Sequence, residues 1–351
     1  MLTAVTSQMR AARLYGPRTL QIDDVPVPEP GHGEVRVRVR AVGLCGSDLH
    51  YYCDGHIGES TPAAPLILGH EFAGSIEAVG PGVDGLGQGQ PVAIDPAIPC
   101  GVCETCIEGH PNLCPSVRFA GTPPIDGALR ERLVWPARHV IPLPEGMPPD
   151  VGAVLETLGV CLHALGLGHV RLADRVAVLG AGPIGLLIVR LAKLSGAVEV
   201  FVTDRNPTRL AAARAQGADV TIDVGVEDAV AAIRRLTGGR GVDVTFEAAG
   251  ALETPQQGVD VLRPGGTLVI VGICPDDRIP LAAATARRRG VTIKLSRRMK
   301  HVYPRAIALV QHGLVDLEQI ISHRYPLTST AEAFEHIAKP ATDALKVVVE
   351  P

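Results

Sequence analysis

From Glu34 to Arg40 valine occupies every second position and a charged residue every other one, a period of two that predicts a half-buried strand. Short alternating runs like this, broken by Pro30-Gly31, Pro81-Gly82 and Asp84-Gly85, fill the chain from about Met9 to Pro144. They predict a mainly β, barrel-like domain. From about Val151 the texture changes. Arg175–Leu179 reads as a short buried strand, Pro183 stands at a first helical position, and Ile184, Leu187, Ile188, Leu191 and Leu194 then recur at helical spacing. A strand over Val198–Thr203, a helix over Pro207–Gln216 and strands over Val242–Phe246 and Thr267–Val271 follow. Strands alternating with helices of this length predict βαβ units on a doubly wound parallel sheet, hence an α/β chain of two domains. The last apolar strand, Leu345–Val349, is expected to rejoin the first domain. The expected division is residues 1–157 with 295–351, and residues 158–294.

The composition narrows the function classes. The chain has 351 residues, 46% hydrophobic and 20% charged, which excludes disordered and fibrous classes. Lys plus Arg number 33 against 37 Asp plus Glu, so net charge gives no argument for nucleic acid or an anionic membrane. The basic runs Arg287–Arg289 and Arg297–His301 lack interleaved aromatic residues and are expected to be solvated faces. Met1–Tyr15 has no apolar core like that of a signal peptide, and no run of about 18 apolar residues suggests a membrane span. A reducing, cytoplasmic setting follows as the expectation, with the eight cysteines free or metal-bound.

Three clusters carry chemistry. Gly180-Ala181-Gly182-Pro183-Ile184-Gly185 fits the phosphate-binding turn of dinucleotide folds, between a strand and a helix, with Asp204 ending the next strand. An acidic residue there favours NAD over NADP, and Arg209 is counted with the cofactor-binding set. Cys100, Cys103, Cys106 and Cys114 have the spacing of a four-thiolate structural zinc site, which leaves no open coordination position. Cys45-Gly46-Ser47-Asp48-Leu49-His50 and Gly69-His70-Glu71 supply a thiolate, an imidazole and a carboxylate, a donor set that leaves room for chemistry.

The order of these motifs, with Gly69-His70-Glu71-Phe72-Ala73-Gly74 and Gly80, resembles the medium-chain zinc-dependent alcohol dehydrogenases over nearly the whole chain. His50-Tyr51-Tyr52 with Gly55, Ile57 and Gly58, and Phe119-Ala120-Gly121-Thr122-Pro123-Pro124-Ile125-Asp126-Gly127, look like the polyol branch, the sorbitol, xylitol and L-iditol dehydrogenases. The resemblance implies a GroES-like catalytic domain beside the Rossmann-type one. It implies that Cys45, His70 and Glu71 hold a catalytic zinc, with Glu156 binding its water or ligating it. Ser47 and His50 are implied as a proton route, and Tyr51, Phe119, Thr122 and Arg298 as substrate contacts. Met299 stands where animal sorbitol dehydrogenases have tyrosine, and His56 where many polyol enzymes have arginine. Cys53, Cys161 and Cys274 are expected to be bystanders, and Asp48 a cap of the following turn.

The implied activity is oxidation of a secondary hydroxyl of a polyol to a ketose with NAD, by a homotetramer with two zinc ions per chain. A 2,3-butanediol, threonine or sugar dehydrogenase on the same scaffold remains open, as does a non-catalytic zinc- and dinucleotide-binding sensor.

Overall fold

The computed structural model describes residues 7–63, 65–274, 278–339 and 342–351. The first six residues of the Met1–Tyr15 stretch lie outside the described ones. Two compact units emerge: residues 1–156 with 317–351, and residues 157–316.

In the first unit Val35, Val37 and Val39 of the strand Glu34–Gly43 are buried, as the alternation requires. Arg36 on the opposite face reaches Glu77 of the neighbouring strand at 2.8 Å. This strand is the hub of the unit's largest sheet. It pairs antiparallel with Glu71–Val79, with Arg132–Pro136 and with the C-terminal strand Lys346–Glu350. Lys346–Glu350 in turn runs parallel to Ile321–Pro326. The core beneath includes Leu14, Phe72, Leu129, Trp135, Phe334 and Val349. Tyr52 stacks on Phe334 with ring centroids 4.7 Å apart.

The second unit carries a six-stranded parallel sheet. Its spatial order is Val220–Asp223, Glu199–Asp204, Arg175–Leu179, Val242–Glu247, Leu262–Ile270 and Thr292–Leu295. The chain therefore leaves from the centre of the sheet, builds one half, returns and builds the other, which is the order of dinucleotide-binding folds.

The sequence reading placed Thr157 and residues 295–316 with the first domain, and here the compact unit differs. Strand Thr292–Leu295 closes the parallel sheet, and the chain beyond it stays with the same unit. Met299 and Val302 pack on the face of Gly159, whose missing side chain leaves them room, and Arg190 Nε donates to Leu314 O at 2.7 Å. Among the described residues one helix, Pro149–Gly168, is long and apolar enough to cross a membrane by length and composition, a match the sequence reading did not anticipate. With 72% of its apolar window buried in the protein, it reads as a core helix.

Candidate active site

The candidate catalytic side chains come from a turn and a strand that Asp48 ties together. Gly46–Asp54 is helical, and Cys45 caps its N-terminus in extended conformation. Asp48 Oδ2 accepts from the Cys45 backbone N–H at 3.1 Å, and Oδ1 accepts from the Gly69 N–H at 3.2 Å. The same Oδ1 lies 3.3 Å from His70 Nδ1. Asp48 thus does cap its turn, as expected, but it also orients His70 and leaves Nε2 for a ligand. Metal-binding histidines are commonly held by a carboxylate in this way. Gly69 has a φ of 93° and sits in the bend that turns His70 inward.

Cys45, His70 and Glu71 each present a ligand atom, all within 4.8 Å of one another. A thiolate, a buried imidazole and a buried carboxylate at that separation fit zinc. Burial alone would push the His70 imidazole down, but facing Asp48 and Cys45 holds it well above its ordinary value. Glu71 is also gripped from behind. Lys346 Nζ donates to Oε1 at 2.8 Å and to Oε2 at 2.7 Å, and to Leu44 O at 3.2 Å. Gly43 makes space for that carboxylate, since a side chain there would overlap Glu71 Oε2.

Glu156 is fully buried and outside the three-donor cluster, though His70, Glu71 and Lys346 all influence it. Burial pushes its carboxyl up to about 7. Ser47 is half-buried. His50, 32% exposed in its side chain, has Nδ1 3.0 Å from Asp54 Oδ2. Tyr51 is buried with its hydroxyl 2.9 Å from Ser60 Oγ. Phe119 lays its ring 5.3 Å from that of His70. The Thr122 N–H donates to Phe119 O at 3.2 Å, which keeps those two together. Arg298 belongs to the second unit, where its φ of 55° lies in the left-handed region.

The cysteine lobe closes as a separate cluster. Its four Sγ atoms lie within 4.8 Å of one another, and none is in a disulfide. The Cys103 N–H donates to Cys100 Sγ, and the Cys100 N–H to Cys114 Sγ, each at 3.4 Å. Thr105 and the Cys106 amide draw the Cys103 thiol down to about 6. Backbone N–H groups aimed at sulfur favour the thiolates that a metal needs. Cys161 is buried with its Sγ 3.5 Å from Ile184 O, a packed thiol.

In the second unit Gly180 has a φ of 100° and passes close to the Ala249 backbone. Nothing lies within 4 Å of where a Gly182 side chain would stand, which leaves that backbone open to a phosphate. Helix Pro183–Leu194 opens from it, carrying Ile184 and Gly185 in its first turn. Asp204 ends its strand and braces this turn. Its Oδ2 accepts from the Ala181 N–H at 2.8 Å and Oδ1 from the Asn206 N–H at 2.9 Å. Arg209 is in the first turn of the helix Pro207–Ala215, its N–H directed to Asn206 Oδ1 at 3.4 Å.

The sequence reading missed Lys346. It lies 275 residues from Glu71, and a lysine in an apolar C-terminal strand carries no motif. The buried lysine within Leu345–Val349 was the available signal, because a charge facing a core demands a partner.

Comparison with known proteins gives a consistent picture. Residues 31–145 match the family model described as alcohol dehydrogenase GroES-like domain, and residues 183–312 match that described as zinc-binding dehydrogenase. The chain is 38% identical over 351 residues to a sorbitol dehydrogenase of Bacillus subtilis, covering 100% of this chain and 99% of the relative. It is similar in structure to a protein of Sinorhizobium meliloti described as a putative zinc-binding dehydrogenase and bound to NADP, with a TM-score of 0.90 and 34% identity over 98% of this chain and 100% of the other. A structure from Escherichia coli described as a short chain alcohol dehydrogenase (rspB), complexed with NADH, is similar with a TM-score of 0.90 and 29% identity, again over 98% and 100%.

Proposed function

The chain belongs to the medium-chain zinc-dependent alcohol dehydrogenases, and on that footing we propose that it oxidises a secondary hydroxyl of a sugar alcohol to a ketose with NAD. The observation that carries this reading is the convergence of Cys45, His70 and Glu71, with buried Glu156 beside them, in a chain that also holds a dinucleotide turn. A sensor would have no use for that donor set.

We assign Cys45, His70 and Glu71 to the catalytic zinc, with Glu156 at its edge, and the four-cysteine lobe to the structural zinc. Zinc would supply Lewis acidity toward a hydroxyl oxygen and NAD would supply the hydride acceptor. Asp48 holds His70 in the tautomer that leaves Nε2 for the metal. Lys346 fixes Glu71 and balances its charge in a buried site. Ser47 relays the hydroxyl proton, passing its own proton on as it takes the substrate's, and the partly exposed His50, reached by way of the nicotinamide ribose hydroxyl, hands a proton to solvent. Glu156, with its carboxyl near 7, holds or releases a proton close to neutrality. Tyr51, Phe119 and Thr122 shape the substrate side, and Arg298 is the proposed donor to hydroxyls remote from the reacting carbon. Asp204 meets the adenosine ribose and disfavours a 2′-phosphate, Gly182 admits the pyrophosphate, and Arg209 flanks it. Assembly as a homotetramer and a cytoplasmic location extend the same reading by family resemblance.

The test is NADH formation at 340 nm across sorbitol, xylitol, galactitol, 2,3-butanediol, threonine and simple alcohols. Turnover highest on a polyol supports the proposal. Turnover highest on butanediol or threonine moves the substrate, and cofactor binding without turnover on any of them favours the sensor.

A further inference from the structure

A third cluster of ligand-type side chains lies far along the chain from both zinc sets, at the C-terminal end of the first unit. His323, His336 and Asp343 each place a ligand atom within 4.8 Å of the others. His323 sits on strand Ile321–Pro326, His336 in the last turn of helix Thr330–Ala338, and Asp343 in the segment leading to strand Lys346–Glu350. The imidazole rings meet edge to face at 4.4 Å.

The hydrogen bonds around the rings turn both Nε2 atoms toward one carboxylate. His336 Nδ1 lies 2.7 Å from the Tyr325 hydroxyl, and its Nε2 lies 2.7 Å from Asp343 Oδ1. His323 Nδ1 lies 2.9 Å from Ser322 Oγ. That hydroxyl spends its proton on Lys346 O at 3.3 Å and accepts from the Leu345 N–H at 2.9 Å. The Nδ1–H tautomer of His323, donating to Ser322, is the one compatible with that arrangement of the hydroxyl, and in it the Nε2 lone pair faces Asp343 Oδ2 at 3.9 Å. A lone pair facing a carboxylate across such a gap is an arrangement a cation stabilises. Both rings have Nδ1 engaged by a hydroxyl and Nε2 turned to Asp343, so one ion could take both Nε2 atoms and the carboxylate while the hydroxyls hold the rings in place.

We propose that His323, His336 and Asp343 form a further divalent metal site, separate from the two zinc sets of the family. Two imidazoles and one carboxylate suit Zn2+ or Ni2+ over Mg2+ or Ca2+. Metal entry converts His336 from the Nε2–H to the Nδ1–H tautomer, with the Tyr325 hydroxyl turning from donor to acceptor. Exposed Asp343 leaves the remaining coordination positions to water. The bound ion ties helix, strand and the approach to Lys346 into one clip.

The zinc-loaded protein is titrated with Ni2+ by calorimetry, with released zinc followed by a chelating dye. One saturating equivalent without zinc release is expected. Affinity is expected to fall at least tenfold in Asp343→Asn, whose exposed side chain makes folding secure, and to be lost in His323→Ala. Absence of saturable binding, nickel uptake only in exchange for zinc, or equal affinity in both variants would overturn the site.

Discussion

Lys346 Nζ lies 2.7 Å from Oε2 and 2.8 Å from Oε1 of Glu71, so one ammonium holds both oxygens of a candidate zinc ligand. The two side chains are only 2% and 1% exposed. Removing one member of such a pair leaves an uncompensated buried charge and costs about 3–5 kcal/mol. Lys346→Met is expected to lose stability on that scale in urea unfolding, and Glu71→Gln combined with Lys346→Met to recover most of it. A single Lys346→Met variant as stable as the parent would remove the pair from its structural role.

Asp48 joins the Cys45 turn to the Gly69-His70 bend through three contacts to one carboxylate. Asp48→Asn keeps the size but loses the charge that orients His70. Zinc affinity or kcat is expected to fall about 10–100-fold, the range for removing the partner of a metal-binding histidine. Metal dissociation followed with a chelating dye, alongside the 340 nm rate, measures both. Unchanged values would mean that Asp48 is a cap and no more.

His139 gives a pH prediction away from both metal sets. Burial, reinforced by neighbouring Arg138, pushes its imidazole down to about 4. Its ordinary value is about 6.5. Between those values the unfolded chain takes up a proton that the folded chain refuses, so acid favours unfolding. The stability is present in full above pH ~6.5 and is lost as pH falls toward ~4. His139→Gln is expected to flatten the decline of urea midpoint across that window. An identical decline in both proteins would clear His139 of the effect.

Asp204 braces the glycine turn through Ala181 and Asn206, so its removal acts on affinity as well as choice. Asp204→Ala is expected to raise KM for NAD and to shift the NADP-to-NAD ratio of kcat/KM toward NADP by about tenfold, equal to about 1.4 kcal/mol. A ratio that does not move would take Asp204 out of cofactor selection.

What the sequence disclosed depended on distance along the chain. The cysteine lobe was legible because its four thiols are local, and the dinucleotide turn because strand, glycines and helix follow one another directly. Val35, Val37 and Val39 announced their strand by period alone. The Glu71–Lys346 pair joins strands far apart in sequence, so no window contained it. Asp48 looked like a cap because caps are local, and its grip on His70 became visible only when Gly69 and Cys45 were brought together. The segment from Leu295 to Asp316, read with the first domain because its texture is mixed, groups by contacts with the second unit; the packing of Met299 and Val302 around Gly159 and the Arg190 bond to Leu314 are tertiary facts.

The central claim is that two separate zinc sets do two separate jobs, and zinc content paired with activity tests it directly. Cys45→Ser and Cys103→Ser are each compared with the parent by metal analysis and by NADH formation on sorbitol. Each variant is expected to hold one zinc fewer than the parent, but only Cys45→Ser to lose turnover while unfolding at nearly the parent temperature; Cys103→Ser is expected to unfold earlier and stay active below that point. Full activity in Cys45→Ser, or a zinc content unchanged from the parent, would contradict the account.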